Sequence, residues 1–180
     1  MRRCSWCNEN NEIYVRYHDE EWGKLRTDDK YLFEMLILES FQAGLSWECV
    51  LNKRENFREA YDGFDLEKVC AYDDRKKEEL RNDKGLIRNR LKIEASVANA
   101  LIFREVVKER GSFYDYLKDF TGPDVIYEYG KTTSEISDVI SKDLRKRGMK
   151  FVGSTIIYSY LQAVGIIHSH EIGCDMYMDK

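Results

Sequence analysis

The chain has 180 residues, 43% hydrophobic and 34% charged, which reads as one soluble globular domain long enough to bury a real core. No apolar run approaches the ~18 residues of a membrane span, and "MRRCSWCNEN" carries no apolar stretch behind its arginines, so no secretory signal is expected and the cytosol is the expected compartment. Net charge of −4 does not advertise a nucleic-acid binder, and five unevenly spaced cysteines (Cys4, Cys7, Cys49, Cys70 and Cys174) argue for thiols or metal ligands over a disulfide frame.

In chain order, the first 47 residues hold all three tryptophans, Trp6, Trp22 and Trp47, with Tyr14 and Tyr17 around His18 in "EIYVRYHDEEWG". Such rings either fill a core or form the walls of a pocket for a flat base, whose cationic forms they attract. "DDKYLFEMLILESFQAG" predicts a helix from Leu32, Met35, Leu36 and Leu38, with Gly44 beyond its end. Glu39 sits inside that apolar run. A carboxylate so placed lies near the interior, where it needs donors, and one facing a pocket is a candidate binding or catalytic group.

"SWECVLNKRENFREAY" predicts a second helix capped by Ser46. "NRLKIEASVANALIFREVVKERG" predicts the longest, with a stripe of Leu91, Ile93, Val97, Leu101 and Val106 and a stop at Gly111. Ser112 caps "FYDYLKDF", Ser137 opens "DVISKDLRKR" up to Gly148, and "STIIYSYLQAVG" runs to Gly165. With one proline, Pro123, and almost no alternation of period two, the expected class is all-α.

Two basic stretches, 81–92 and 142–150, are either solvated helix faces or phosphate-tracking surfaces. The second leads into "KRGMKFVGST", where a short turn with Gly148 and Gly153 exposes the amides near Gly153, Ser154 and Thr155 at a helix start, beside Lys150. Such amides, with the helix dipole behind them, suit a phosphate oxygen. The chain closes on "HSHEIGC", which brings two of its three histidines and one cysteine together. Cys4 and Cys7 form a C-x-x-C, which alone reads as a zinc knuckle or a redox pair, and His168 rivals His170 as a ligand.

Taken together, "RCSW" (3–6), "YHDEEWG" (17–23), "LFEMLILESFQAGLSW" (32–47), "RKRGMKFVGSTIIYSYLQAVG" (145–165) and the terminal "H…GC" resemble the 3-methyladenine DNA glycosylase I family, in order and over nearly the whole chain. The resemblance implies a single helix–hairpin–helix glycosylase domain over 1–180, whose two terminal segments form one lobe around a structural zinc held by Cys4, His18, His170 and Cys174. Two thiolates and two imidazoles make a closed tetrahedral site, and the i, i+4 spacing of His170 and Cys174 predicts one helical turn carrying both.

The implied activity is removal of 3-methyladenine from alkylated double-stranded DNA; separately, with no extended apolar seam in the sequence, a monomer is expected. Glu39 would accept hydrogen bonds from the base and Trp47 would stack on it, with Tyr17, Trp6 and Tyr14 completing the pocket; Glu39 and Tyr17 are the implied catalytic pair. Gly44 and Leu45 would approach the gap left in the duplex, Leu45 as the wedge. Two positions depart from the wider superfamily: "GIIHSHEIG" has His168 and Ser169 where an aspartate is expected, and Phe151 replaces a hairpin glycine. The alternative reading is a non-catalytic zinc-stabilised helix–hairpin–helix DNA-binding protein, which would need no base pocket.

Overall fold

The computed structural model describes residues 1–178 and is built almost wholly of helices. In chain order they are α1 (Glu12–Glu20), α2 (Asp29–Gln42), α3 (Trp47–Leu51), α4 (Arg54–Ala60), α5 (Leu66–Cys70), α6 (Asp74–Asn82), α7 (Arg90–Arg110), α8 (Phe113–Thr121), α9 (Glu135–Lys146) and α10 (Ser154–Ala163). Most are started by a side-chain acceptor: Asn11, Asp28, Ser46, Asp65, Asp73, Asn89, Ser112 and Ser134 each take a first-turn amide. α2 is the central helix. Every residue from Leu32 to Phe41 is buried, as expected of a helix enclosed on all sides, here by α3, α7, α8 and α10.

Four local expectations are corrected. The segment after Ser46 is two helices, not one, broken at Asn52–Lys53; the break lets Arg54 turn inward to Glu34 and Glu21. α9 is capped by Ser134, with Ser137 as the reciprocal member of the capping box rather than its opening residue. On α7, Leu91 and Leu101 are 58% and 39% exposed, because the buried face runs through Ile93, Ser96, Asn99, Ala100, Phe103 and Val106, with Lys92 beside it. Its polar members hide that face from a hydropathy reading.

The fourth concerns the C-terminal segment, where His170–Cys174 is a turn, not a helix, closed by the Cys174 amide on the Glu171 carbonyl. Two short parallel strands precede it, β1 (Ile126–Tyr127) and β2 (Ile167–His168), in register Ile126↔Ile167. They fix the path by which the chain leaves α10 and reaches the N-terminal segment. Gly165 is required on this path: its φ is +77°, and a Cβ there would lie 2.1 Å from the Lys24 carbonyl carbon. The Arg26 amide donates to the Val164 carbonyl and that of Gly23 to Gln162, stitching the loop after α1 to the end of α10.

Candidate active site and metal cluster

α1 serves two sites at once because its buried residues fall at i, i+3 and i+4. Tyr14 and Tyr17 line a cavity of about 410 Å³, in the range of small-ligand sites, while His18 joins a buried polar cluster beside it. Trp6, Trp22 and Trp47 complete the cavity's aromatic wall. The rings are mutually braced: Trp6 meets Trp22 edge-on at 4.7 Å and Tyr14 at 5.4 Å, and Tyr17 lies 5.4 Å from Trp47. The five aromatic residues singled out in the sequence, Trp6, Tyr14, Tyr17, Trp22 and Trp47, therefore line one space.

Glu39 and Gln42 enter that space from the last turns of α2. Glu39 Oε2, Gln42 Oε1 and Trp47 Nε1 are all buried without a hydrogen-bond partner in the protein. Two acceptors and one donor are thus directed into an aromatic slot. Burial pushes the Glu39 carboxyl well above its ordinary range and holds the Tyr17 hydroxyl firmly protonated; Tyr14 is raised to about 12, again mainly by burial. No cation offsets the cost at Glu39.

The rim comes from residues the sequence reading did not single out: Gly130, Lys131 and Thr132 of the loop after β1, and Ser159 and Gln162 of α10. Ser169 and Glu171 also line the cavity, the latter with its carboxylate taken up by the Ser5 amide and hydroxyl. His168 does not line it; its Nε2 lies 3.2 Å from the Met176 carbonyl. Residues such as Gln162 carry no local signal, since only the packing of α10 against α2 places them here.

Behind the wall, Cys4, His18, His170 and Cys174 form a buried group whose ligand atoms lie within 4.8 Å of one another. Sulfur–nitrogen separations are 3.4 Å for Cys4–His170 and 3.6 Å for both Cys174–His18 and Cys174–His170. A tetrahedral ion with ordinary bond lengths to sulfur and imidazole nitrogen needs about 3.6 Å. The outer contacts fit as well. His18 presents Nε2 to the cluster while Nδ1 lies 2.8 Å from Asp19, itself clamped by Arg3; His170 presents Nδ1 while Nε2 lies 3.3 Å from the Trp22 carbonyl.

Backbone amides of Glu171 and Met176 point at the two sulfurs, as suits thiolates. Burial and the neighbouring His18 and His168 rings hold His170 neutral, at about 4, and burial pushes the Cys4 thiol to about 12. A cation is what would ionise such thiols. The four could therefore hold a metal. Cys7 stands outside, with its sulfur near the Tyr14 carbonyl, so of the C-x-x-C only Cys4 belongs to the buried group.

The hairpin expectation maps to a second, separate groove. α9 and α10 are joined by residues 147–153, and Lys142, Arg145, Lys146, Lys150, Gly153 and Ser154 line an open cleft there. Gly153 gives α10 no side-chain cap, so its first-turn amides face outward, whereas the Ser154 hydroxyl is engaged with Ser137 and Thr155 stands exposed beside the cleft. Phe151 adopts φ +56°, the left-handed conformation that a glycine would occupy at no cost. Between the two sites lies the exposed loop with Gly44, at φ +77°, and Leu45, 42% exposed.

The family model described as methyladenine glycosylase matches residues 6–177. The chain belongs to that family. It is similar to DNA-3-methyladenine glycosylase 1 of Escherichia coli (strain K12), 44% identical with 98% of this chain and 97% of that protein aligned. A crystal structure of a 3-methyladenine DNA glycosylase I superposes with a TM-score of 0.93 at 39% identity, covering 98% of this chain and all of that one. The Staphylococcus aureus structure described as showing the basis of 3-methyladenine recognition has a TM-score of 0.93 at 30% identity, with 99% and 97% covered.

Proposed function

We propose that the chain is a base-excision DNA repair glycosylase that removes 3-methyladenine from alkylated DNA and leaves an abasic site, through a helix–hairpin–helix grip on double-stranded DNA. The observation that carries this reading is the aromatic cavity with Glu39, Gln42 and Trp47 offering unpartnered polar atoms into it. It is a recognition site for a flat, polar-edged, electron-poor ring. The family's named activity supplies the substrate.

N3-methylation leaves the base formally cationic, so breaking the C1′–N9 bond returns the electron pair to the ring and releases a neutral molecule. Water adds to C1′ and gives its proton to solvent. Little acid assistance is required, which fits a site whose superfamily aspartate position is taken by His168 and Ser169. The work left to the protein is extrusion, recognition and positioning. Glu39 accepts hydrogen bonds from the base edge, Trp47 stacks on it, and Tyr17, Tyr14 and Trp6 complete the slot. Gly44 and Leu45 occupy the gap, while Lys150 and the amides of Gly153, Ser154 and Thr155 hold the strand's phosphates.

The test is base release: methylated duplex is incubated with the protein and the small-molecule fraction analysed. Free 3-methyladenine with 7-methylguanine left in the DNA supports the reading. No released base from a folded, metal-loaded sample reduces the protein to a DNA-binding relative.

Zinc is the proposed occupant of the Cys4, His18, His170 and Cys174 group, where it would supply structural charge and cross-link both terminal segments. Cys174→Ala should lose the bound metal and melt several degrees lower, while Cys7→Ala keeps both; elemental analysis with a thermal melt checks this. The proposed working form is a monomer, and no helix among the described residues is long and apolar enough to cross a membrane.

A further inference from the structure

Lys92 is the one buried lysine among the described residues, 7% exposed, and the mechanism above does not use it. Its ammonium reaches from the first turn of α7 to the C-terminal end of α2, donating to the Phe41 carbonyl at 2.7 Å and the Ala43 carbonyl at 2.5 Å. α2 has no basic residue in its own last turn, so Lys92 supplies the positive charge that a helix C-terminus favours. Directly beyond those carbonyls the chain turns through Gly44 and the exposed Leu45, then enters α3 at Trp47, a cavity residue. The loop 43–46 thus hangs between Glu39 and Trp47, and Lys92 fixes its origin.

The same helix also holds the hairpin. Seven residues on, Asn99 both donates to the Lys150 carbonyl and accepts from the Lys150 amide, each at 2.9 Å. In the other direction, the Lys92 ammonium stands 5.9 Å from the centre of the Phe151 ring, whose left-handed backbone forms part of the turn. One face of α7 therefore ties the exposed loop to the phosphate-facing turn. A buried ammonium is costly unless its donors are used, and an apolar residue would fill the same space without that cost.

We propose that Lys92 is a positioning residue that sets the loop 43–46 against the hairpin turn, so that Leu45 enters the duplex in register with the strand the hairpin holds. This rests on the glycosylase reading. The test pairs two measurements: single-turnover excision from duplex containing 3-methyladenine, and binding of free 3-methyladenine followed by quenching of the cavity tryptophans. Lys92→Met should slow excision at least tenfold with free-base affinity within about twofold of the unsubstituted protein. Because Lys92 acts through the loop, combining it with Leu45→Ala should add less than about twofold to the larger single loss.

Unchanged excision, equal loss of free-base binding, or losses that multiply in the double variant would each overturn the proposal. If Lys92→Met does not fold, Lys92→Gln carries the same comparison with a smaller loss, and wild-type excision in it is equally fatal. Failure of the glycosylase reading itself would show in the unsubstituted protein, as absence of both excision and free-base binding.

Discussion

Glu34 and Glu39 lie on one helix, five positions and roughly 140° apart, and both are buried, at 6% and 2% exposure. Their surroundings are opposite. Glu34 receives Arg54 at 2.6 Å and Arg58 at 2.8 Å, and Arg54 is held in turn by Glu21 at 2.7 Å. Glu39 has no cation, one unpartnered oxygen and a cavity in front of it. The first acid is an element of the fold, satisfied by the chain itself. The second has no partner in the protein and only a group entering the cavity could satisfy it, so the absence of a partner, more than burial, marks the candidate functional carboxylate.

The comparison breaks most visibly at Glu34. Glu34→Leu leaves the Arg54 guanidinium buried with Glu21 as its remaining carboxylate, and should cost about 3 kcal/mol in urea unfolding with little change in activity per folded molecule. Loss of activity without loss of stability would reverse the roles assigned to the two acids. Next comes Glu39→Gln, which should lower excision about 100-fold, or ~2.7 kcal/mol in barrier, while the protein stays folded. Full activity in that variant would remove the cavity from the mechanism.

The smallest effect sharpens the same contrast through pH. A carboxyl raised on folding binds its proton more tightly in the native state, so stability falls as pH rises above the ordinary value of 4.5. Glu39→Gln should therefore be more stable than the unsubstituted protein at neutral pH, by on the order of 1 kcal/mol, with the difference vanishing below pH 4.5. Melts at pH 4 and pH 7 would show it; a difference that grows on acidification contradicts the sign.

Much of the site was legible in the sequence, but by different routes. Glu39 stands out because one acid interrupts an apolar run, and helix starts such as Ser46 and Ser112 are local chemistry. The candidate metal group is not local: its members lie up to 170 positions apart, and only the family resemblance selected Cys4 over Cys7 and His170 over His168. Lys92 was counted into the basic stretch 81–92 although it is buried, and Asn99 left no trace, because polar residues on a helix read as solvent-facing until the carbonyls they serve are in place. Leu91 and Leu101 misled for the converse reason, as exposed apolar residues close to the buried face of α7. The rim from Gly130 to Thr132 depends on where a loop after β1 falls, which no spacing encodes.

The Cys4–His18–His170–Cys174 group has a consequence for the order of events during synthesis. Its donors close a loop of nearly the entire chain, with Cys4 and His170 separated by 166 positions, and such closure carries an entropic cost that grows only slowly with length. Two of its donors come from residues 4–18 and two from residues 170–174, so the group cannot close until residue 174 has been made. Trp22 packs edge-on against His170 at 4.6 Å, so the cavity wall shares its fate with the group behind it. A chain interrupted before residue 168 lacks His170 and Cys174, half the donors. The aromatic slot is then set only once residues 170–174 have joined residues 4–18.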